Sequence, residues 1–101
     1  MAPVERQFPN LFQLLGGYFH QDWCLDDPNA EAALRRYMND TVPGQVQDTV
    51  NEIDALLTKN LSDDQLKQML LVDLGCYYDP TADNITHAEW LRWVQNRLRE
   101  G

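Results

Sequence analysis

Apolar residues recur along this chain at steps of three and four, in five stretches separated by short polar breaks. That spacing is the mark of helices burying one face, and no stretch alternates as a strand does. Pro9 suits a first helical turn, where its missing N–H costs nothing, and Leu11, Phe12, Leu15, Tyr18 and Phe19 follow at helical intervals. Gly16 and Gly17 interrupt this first helix at about 1 kcal/mol each relative to Ala, which is tolerable where another backbone packs closely. A second helix is expected to begin around Asp27-Pro28, an N-cap residue with an N1 proline, and to bury Ala30, Ala33, Leu34, Tyr37 and Met38. Pro43 opens a third, whose stripe is Val46, Val50, Ile53 and Leu57.

The last two helices have the clearest punctuation. Ser62-Asp63-Asp64-Gln65 reads as a capping box, with Leu61 and Leu66 as its hydrophobic staple. The helix it opens presents Leu66, Met69, Leu70 and Leu74, and Gly75 falls where a left-handed C-cap is needed. Thr86-His87-Ala88-Glu89 repeats the device, with Ile85 and Trp90 as staple and some combination of Trp90, Leu91, Val94 and Leu98 as the buried face. Arg97 and Arg99 in the final turn suit the negative end of the helix dipole. The expectation is therefore an all-α, compact single-domain bundle of about five short helices spanning residues 1–101, with 1–7 flexible.

Composition agrees with one folded domain. A chain of 101 residues with 44% hydrophobic content and ten aromatic residues can bury roughly 65% of its extended surface. No apolar run approaches the roughly 20 residues of a membrane span. The N-terminus lacks the basic start and apolar stretch of a secretory signal. Cys24 and Cys76, with no metal-type spacing, are then expected to be reduced thiols in the cytoplasm.

The formal charge of −8 is unevenly placed: Asp22 to Asp83 holds thirteen carboxylates against Arg35, Arg36, Lys59 and Lys67. So negative a middle section disfavours direct contact with nucleic acid or an anionic membrane. It would attract a basic protein, although acidic composition also serves solubility alone.

Candidate chemistry is sparse. His20, Asp22 and Cys24 alternate in a loop but match no strong zinc pattern. The stretch from Asp79 to Trp90 fails as a calcium loop, with Asn84 where Gly is required and Trp90 where a bidentate Glu is required. Nothing selects an acid/base pair from sixteen carboxylates, and no nucleophile motif or phosphate-binding glycine loop is present. No metal, no cofactor and no catalytic residue is expected. Two aromatic segments remain: Tyr18-Phe19-His20-Gln21-Asp22-Trp23, and Leu74-Gly75-Cys76-Tyr77-Tyr78-Asp79-Pro80. Trp23, Tyr77 and Tyr78 are flanked by acids, and aromatic anchors inside an acidic rim are what a protein-binding surface uses. Structurally, Trp23 and one tyrosine would fill the core between helix ends, with His20 and Asp22 pinning the loop.

The run from Phe8 to Trp23 (FPNLFQLLGGYFHQDW) closely resembles the opening of a family of bacterial immunity proteins from contact-dependent growth inhibition (CDI) systems. Leu61 to Asp64, the Leu74–Pro80 segment and Glu89-Trp90-Leu91-Arg92-Trp93 are similar to later parts of the same family, so the likeness runs from about Phe8 to Leu98. What the resemblance implies is a cytoplasmic binding protein without catalysis. Its partner would be the C-terminal toxin domain of the cognate CdiA protein, commonly a basic nuclease. The oligomeric state is not fixed by the sequence, a monomer being the favoured expectation. Gly16, Gly17, His20, Asp22, Trp23 and Gly75 then read as structural signature residues. The toxin-binding candidates are Asp26, Asp27, Glu31, Asp48, Glu52, Asp54, Asp79 and Asp83, with Trp23, Tyr77 and Tyr78 as apolar anchors. The competing expectation is an acidic adaptor or regulatory subunit for a basic partner that is not a toxin.

Overall fold

The computed structural model describes residues 4–20, 29–78 and 80–100. It is all-α, with no strand among the described residues. A turn of helix, α1 (Val4–Gln7), leads into α2 (Pro9–Tyr18), and α3 (Ala30–Asp40), α4 (Pro43–Leu57) and α5 (Asp63–Gln68) follow. A π-helical turn over Met69–Asp73 continues α5, a 3-10 turn spans Pro80–Asp83, and α6 (His87–Glu100) closes the chain. The Cα radius of gyration is 12.5 Å, against about 13 Å for a compact chain of this length.

Both expected capping boxes form. Ser62 Oγ accepts from Gln65 N–H at 3.2 Å while the Gln65 amide oxygen accepts from Ser62 N–H at 2.9 Å. Glu89 N–H donates to Thr86 Oγ1 at 3.1 Å, and Thr86 N–H and its hydroxyl both donate to Glu89 Oε1. Gly75 has φ +71°, the left-handed conformation a side chain resists. Its neighbours close the π-wound turn: Leu74 N–H reaches Met69 O and Cys76 N–H reaches Leu70 O, both at 2.9 Å. The second bond spans six residues rather than the usual five because the preceding turn is wider.

The second helix starts later than expected. Asn29, not Asp27, is the N-cap of α3, its side-chain oxygen accepting from Ala32 N–H at 2.9 Å; Asp27 and Pro28 lie outside the described residues. The first helix also buries a different face. Leu11, Leu14, Leu15 and Phe19 are buried, whereas Phe12 is 40% exposed. A Cβ on Gly16 would lie 3.4 Å from Phe12 Cε1, so the Phe12 ring covers the notch left by the glycine one turn on along its own helix.

One core joins all the long helices. Ala33, Leu34 and Tyr37 of α3 meet Val50, Ile53 and Leu56 of α4, Leu66, Leu70 and Leu74 of the α5 segment, and Trp90, Leu91, Val94 and Leu98 of α6. Several polar groups inside it are matched, although the buried Trp90 indole N–H finds no acceptor among the described residues. Thr49 donates its hydroxyl proton to Gln45 O at 3.0 Å, leaving its oxygen to accept from buried Tyr37 OH at 2.7 Å. Burial pushes the Tyr37 phenol up. Gln95 Nε2 of α6 donates to Val50 O of α4 at 3.1 Å.

Two carboxylates hold helix ends together from far away in sequence. Phe8 stands at the N-cap of α2 and has no capping oxygen. The Glu52 carboxylate of α4 supplies it, accepting from Asn10 N–H and Leu11 N–H at 3.0 Å and from Asn10 Nδ2 at 2.6 Å. Asp63 does the same for α6, accepting from His87 N–H at 2.9 Å and lying 3.1 Å from the buried His87 ring at Nδ1. Negative charge at a helix N-terminus meets unsatisfied N–H groups and the positive end of the dipole. Burial on its own would raise the Asp63 carboxyl. The His87 ring, the His87 N–H and the Ala88 N–H outweigh it and hold the carboxyl below its ordinary value.

A candidate protein-binding groove

The two aromatic segments meet. A Cβ on Gly16 would lie 3.4 Å from Leu74 O, and one on Gly75 would lie 3.7 Å from Gly16 Cα. The close backbone approach that excuses a glycine inside α2 is therefore real at Gly16. Gly17 has nothing within 4 Å of its own Cβ position. Just beyond the seam, Tyr77 N–H donates to Phe19 O at 2.7 Å, which turns Tyr78 inward. The Tyr78 ring centroid stands 5.3 Å from Trp90 and 6.4 Å from Phe19, and Phe19 meets Trp90 edge-on at 5.4 Å. Such tilted and edge-to-face pairs suit the ring quadrupoles. Buried Cys76 adds a contact from its Sγ to Tyr78 O at 3.4 Å.

Tyr78 is thereby fixed as one wall of a groove of about 680 Å³, with Ile85, Trp90 and Trp93 as further apolar lining. The far side is the start of α3: Asn29, Ala30 and Glu31. Asp83 and Glu89 complete the rim. Tyr78 OH donates to Asp83 Oδ2 at 2.6 Å, and Glu89 is held by its capping bonds to Thr86. Glu31 pairs across to Arg97 of α6 and along α3 to Arg35, the latter at 3.6 Å.

Of the expected binding residues, Tyr78, Asp83 and Glu31 converge on this groove. Tyr77 is 61% exposed and is not part of its lining. Asp48 and Asp54 are exposed on α4 and do not line it either, while Glu52 is engaged on the end of α2. Trp23, Asp26, Asp27 and Asp79 lie outside the described residues, as do Asp22 and Cys24. His20 is half-buried.

Sequence reading missed Trp93, Ile85 and Glu89 as site residues. A usable signal was present: Trp90 and Trp93 are three apart on a helix and share a face. Among the described residues no group of three or more His, Cys, Asp or Glu could hold a metal ion. None of the described helices is long and apolar enough to cross a membrane.

The family of the chain follows from comparison with known proteins. The sequence pattern of the CdiI immunity protein family matches residues 7–98. This chain belongs to that family. Among solved structures, it is similar to a chain of the "CdiA-CT/CdiI complex from Y. kristensenii 33638" at 32% identity. The likeness covers 91% of this chain and 98% of that one, with a TM-score of 0.87. No curated protein matches the sequence. The CdiI family match begins one residue before Phe8 and ends at Leu98, so it takes in the Gly16–Gly75 seam and all of the described groove lining.

Proposed function

We propose that this protein is an immunity protein that binds the C-terminal toxin domain of its cognate CdiA one to one and neutralises it, performing no reaction itself. The observation that carries the reading is its likeness, over 91% of its length, to a chain of a CdiA-CT/CdiI complex, joined to its family membership. Before binding the protein is a monomer in the cytoplasm, and the toxin domain is a basic nuclease. The charge of −8 supports that last point, because a surface that binds phosphates is positive and complements an acidic inhibitor. Steering of this kind lifts association to about 10⁸ M⁻¹s⁻¹ at low salt. The groove of Tyr78, Trp90 and Trp93 supplies apolar anchoring once the partners meet.

Co-expression tests the reading. Cells producing the C-terminal domain encoded by the neighbouring toxin gene should survive only when this protein is made, and the two should co-purify at a one-to-one ratio. Survival without it, or no complex with that domain, refutes the reading. Degradation of RNA or DNA by the isolated toxin domain would establish the nuclease part.

A further inference from the structure

We infer that the groove is a receptor for an arginine side chain of the partner protein, seated between the ring of Trp93 and the carboxylates of Asp83 and Glu89. The inference rests on the toxin-binding reading above and specifies the chemistry that fills its site.

Among the described residues the lining carries three carboxylates, from Glu31, Asp83 and Glu89, and no cationic side chain. Glu31 is already neutralised by Arg97 and Arg35. Asp83 and Glu89 are different. Each has one oxygen fixed by a local donor, Asp83 Oδ2 by Tyr78 OH and Glu89 Oε1 by Thr86. The second oxygens, Asp83 Oδ1 and Glu89 Oε2, have no partner among the described residues. Both carboxylates are thus held in place before any partner arrives, with acceptor capacity left over. Pre-organisation of this kind lowers the cost of binding.

Beside them lie the aromatic faces. Trp93 is half-buried against the core and Tyr78 is braced by Phe19 and Trp90. A guanidinium fits this combination better than an ammonium: it is planar, stacks on an indole, and can donate to two carboxylates at once. Phosphate-bearing partners are repelled by the same rim. The volume of about 680 Å³ exceeds one side chain and leaves room for the backbone that carries it.

Two measurements on the intact protein decide the matter. In the first, the peptide acetyl-Gly-Arg-Gly-amide is titrated in while the indole N–H signals are followed by NMR. The Trp93 signal should shift, the acetyl-Gly-Glu-Gly-amide peptide should leave it in place, and the double variant D83N/E89Q, which retains both local hydrogen bonds, should abolish the shift. In the second, affinity for the cognate toxin domain should fall about tenfold in D83N/E89Q and in W93L, while D73N, with its charge removed elsewhere, binds as wild type. Absence of an arginine-induced shift overturns the inference, and so does wild-type toxin affinity in both groove variants. If wild-type protein shows the peptide shift but captures no toxin, the immunity reading falls and the groove stands as a receptor for another basic protein.

Discussion

Replacing Glu52 separates two uses of one carboxylate. Glu52 was expected from its charge to face the toxin, yet it accepts hydrogen bonds from three donor groups at the first turn of α2, where Phe8 offers no capping group. In E52A, Asn10 and Leu11 lose their acceptor at a half-buried helix end. Loss of a cap costs about 0.5–2 kcal/mol, and hydrogen bonds to a charged group are worth about 1.5–3 kcal/mol. These are overlapping accounts of one contact, so the combined expectation is about 2 kcal/mol. For a domain near 100 residues that lowers Tm by about 8–16 °C. E52Q keeps one acceptor oxygen and should lose about half as much. Urea and thermal unfolding followed by circular dichroism measure both, with D48N as the exposed control on α4, expected within about 0.5 kcal/mol of wild type. An E52A protein as stable as D48N refutes the capping argument and returns Glu52 to the candidates for the partner surface.

Gly75, at the seam, and Gly17, which faces away from it, should respond in opposite ways to alanine substitution in calorimetry. G75A forces a side chain into φ +71° and should cost about 1–2 kcal/mol, whereas G17A, with nothing near its Cβ position, should gain about 0.5–1 kcal/mol from helix propensity. T49V strands the buried Tyr37 hydroxyl and should cost about 1–3 kcal/mol in urea unfolding. The lowered Asp63 carboxyl adds stability that is fully present above the unfolded value of about 3.9 and disappears as pH falls through the folded one. The stability gap between wild type and D63N should therefore narrow steadily as pH falls below about 4; a gap that widens with acid contradicts the assignment. In stopped-flow binding, D48N/D54N should slow association with the toxin domain at low salt and leave dissociation alone, while D83N/E89Q should chiefly speed dissociation.

What could be read from sequence was the chemistry of neighbours. Ser62 with Gln65, Thr86 with Glu89, Pro9, Pro43 and Gly75 mark helix ends because each acts within a turn of itself, and all five sit where expected. Faces were harder. In Leu11-Phe12-Gln13-Leu14-Leu15 the apolar residues are too dense for periodicity to choose among them, and the choice was made by a glycine notch that gives Phe12 somewhere to lie. Leu56 and Leu57 pose the same problem, and the core takes Leu56. The groove was half legible: the aromatic and acidic types around Tyr78 were visible, but the role of Trp93 depended on where α6 faces after packing.

Least legible was how the negative charge is employed. Counting residues gives the sign of the field correctly, and a count cannot tell a carboxylate facing a partner from one facing a helix 41 or 42 positions away, as Glu52 does. Glu52 and Asp63 are each placed against a helix N-terminus, whose partial positive charge of about half a unit offsets part of the field they would project outward. Glu31 is offset more fully by Arg97 and Arg35. The acids left to shape the long-range field are those with no such counterpart among the described residues, Asp48 and Asp54 on α4 being two of them. On the groove proposal, the acids that shape a docked contact are the pre-positioned Asp83 and Glu89. On that proposal attraction at a distance and grip at contact fall to different residues of the same excess charge, which is why rate constants rather than affinities are needed to tell them apart.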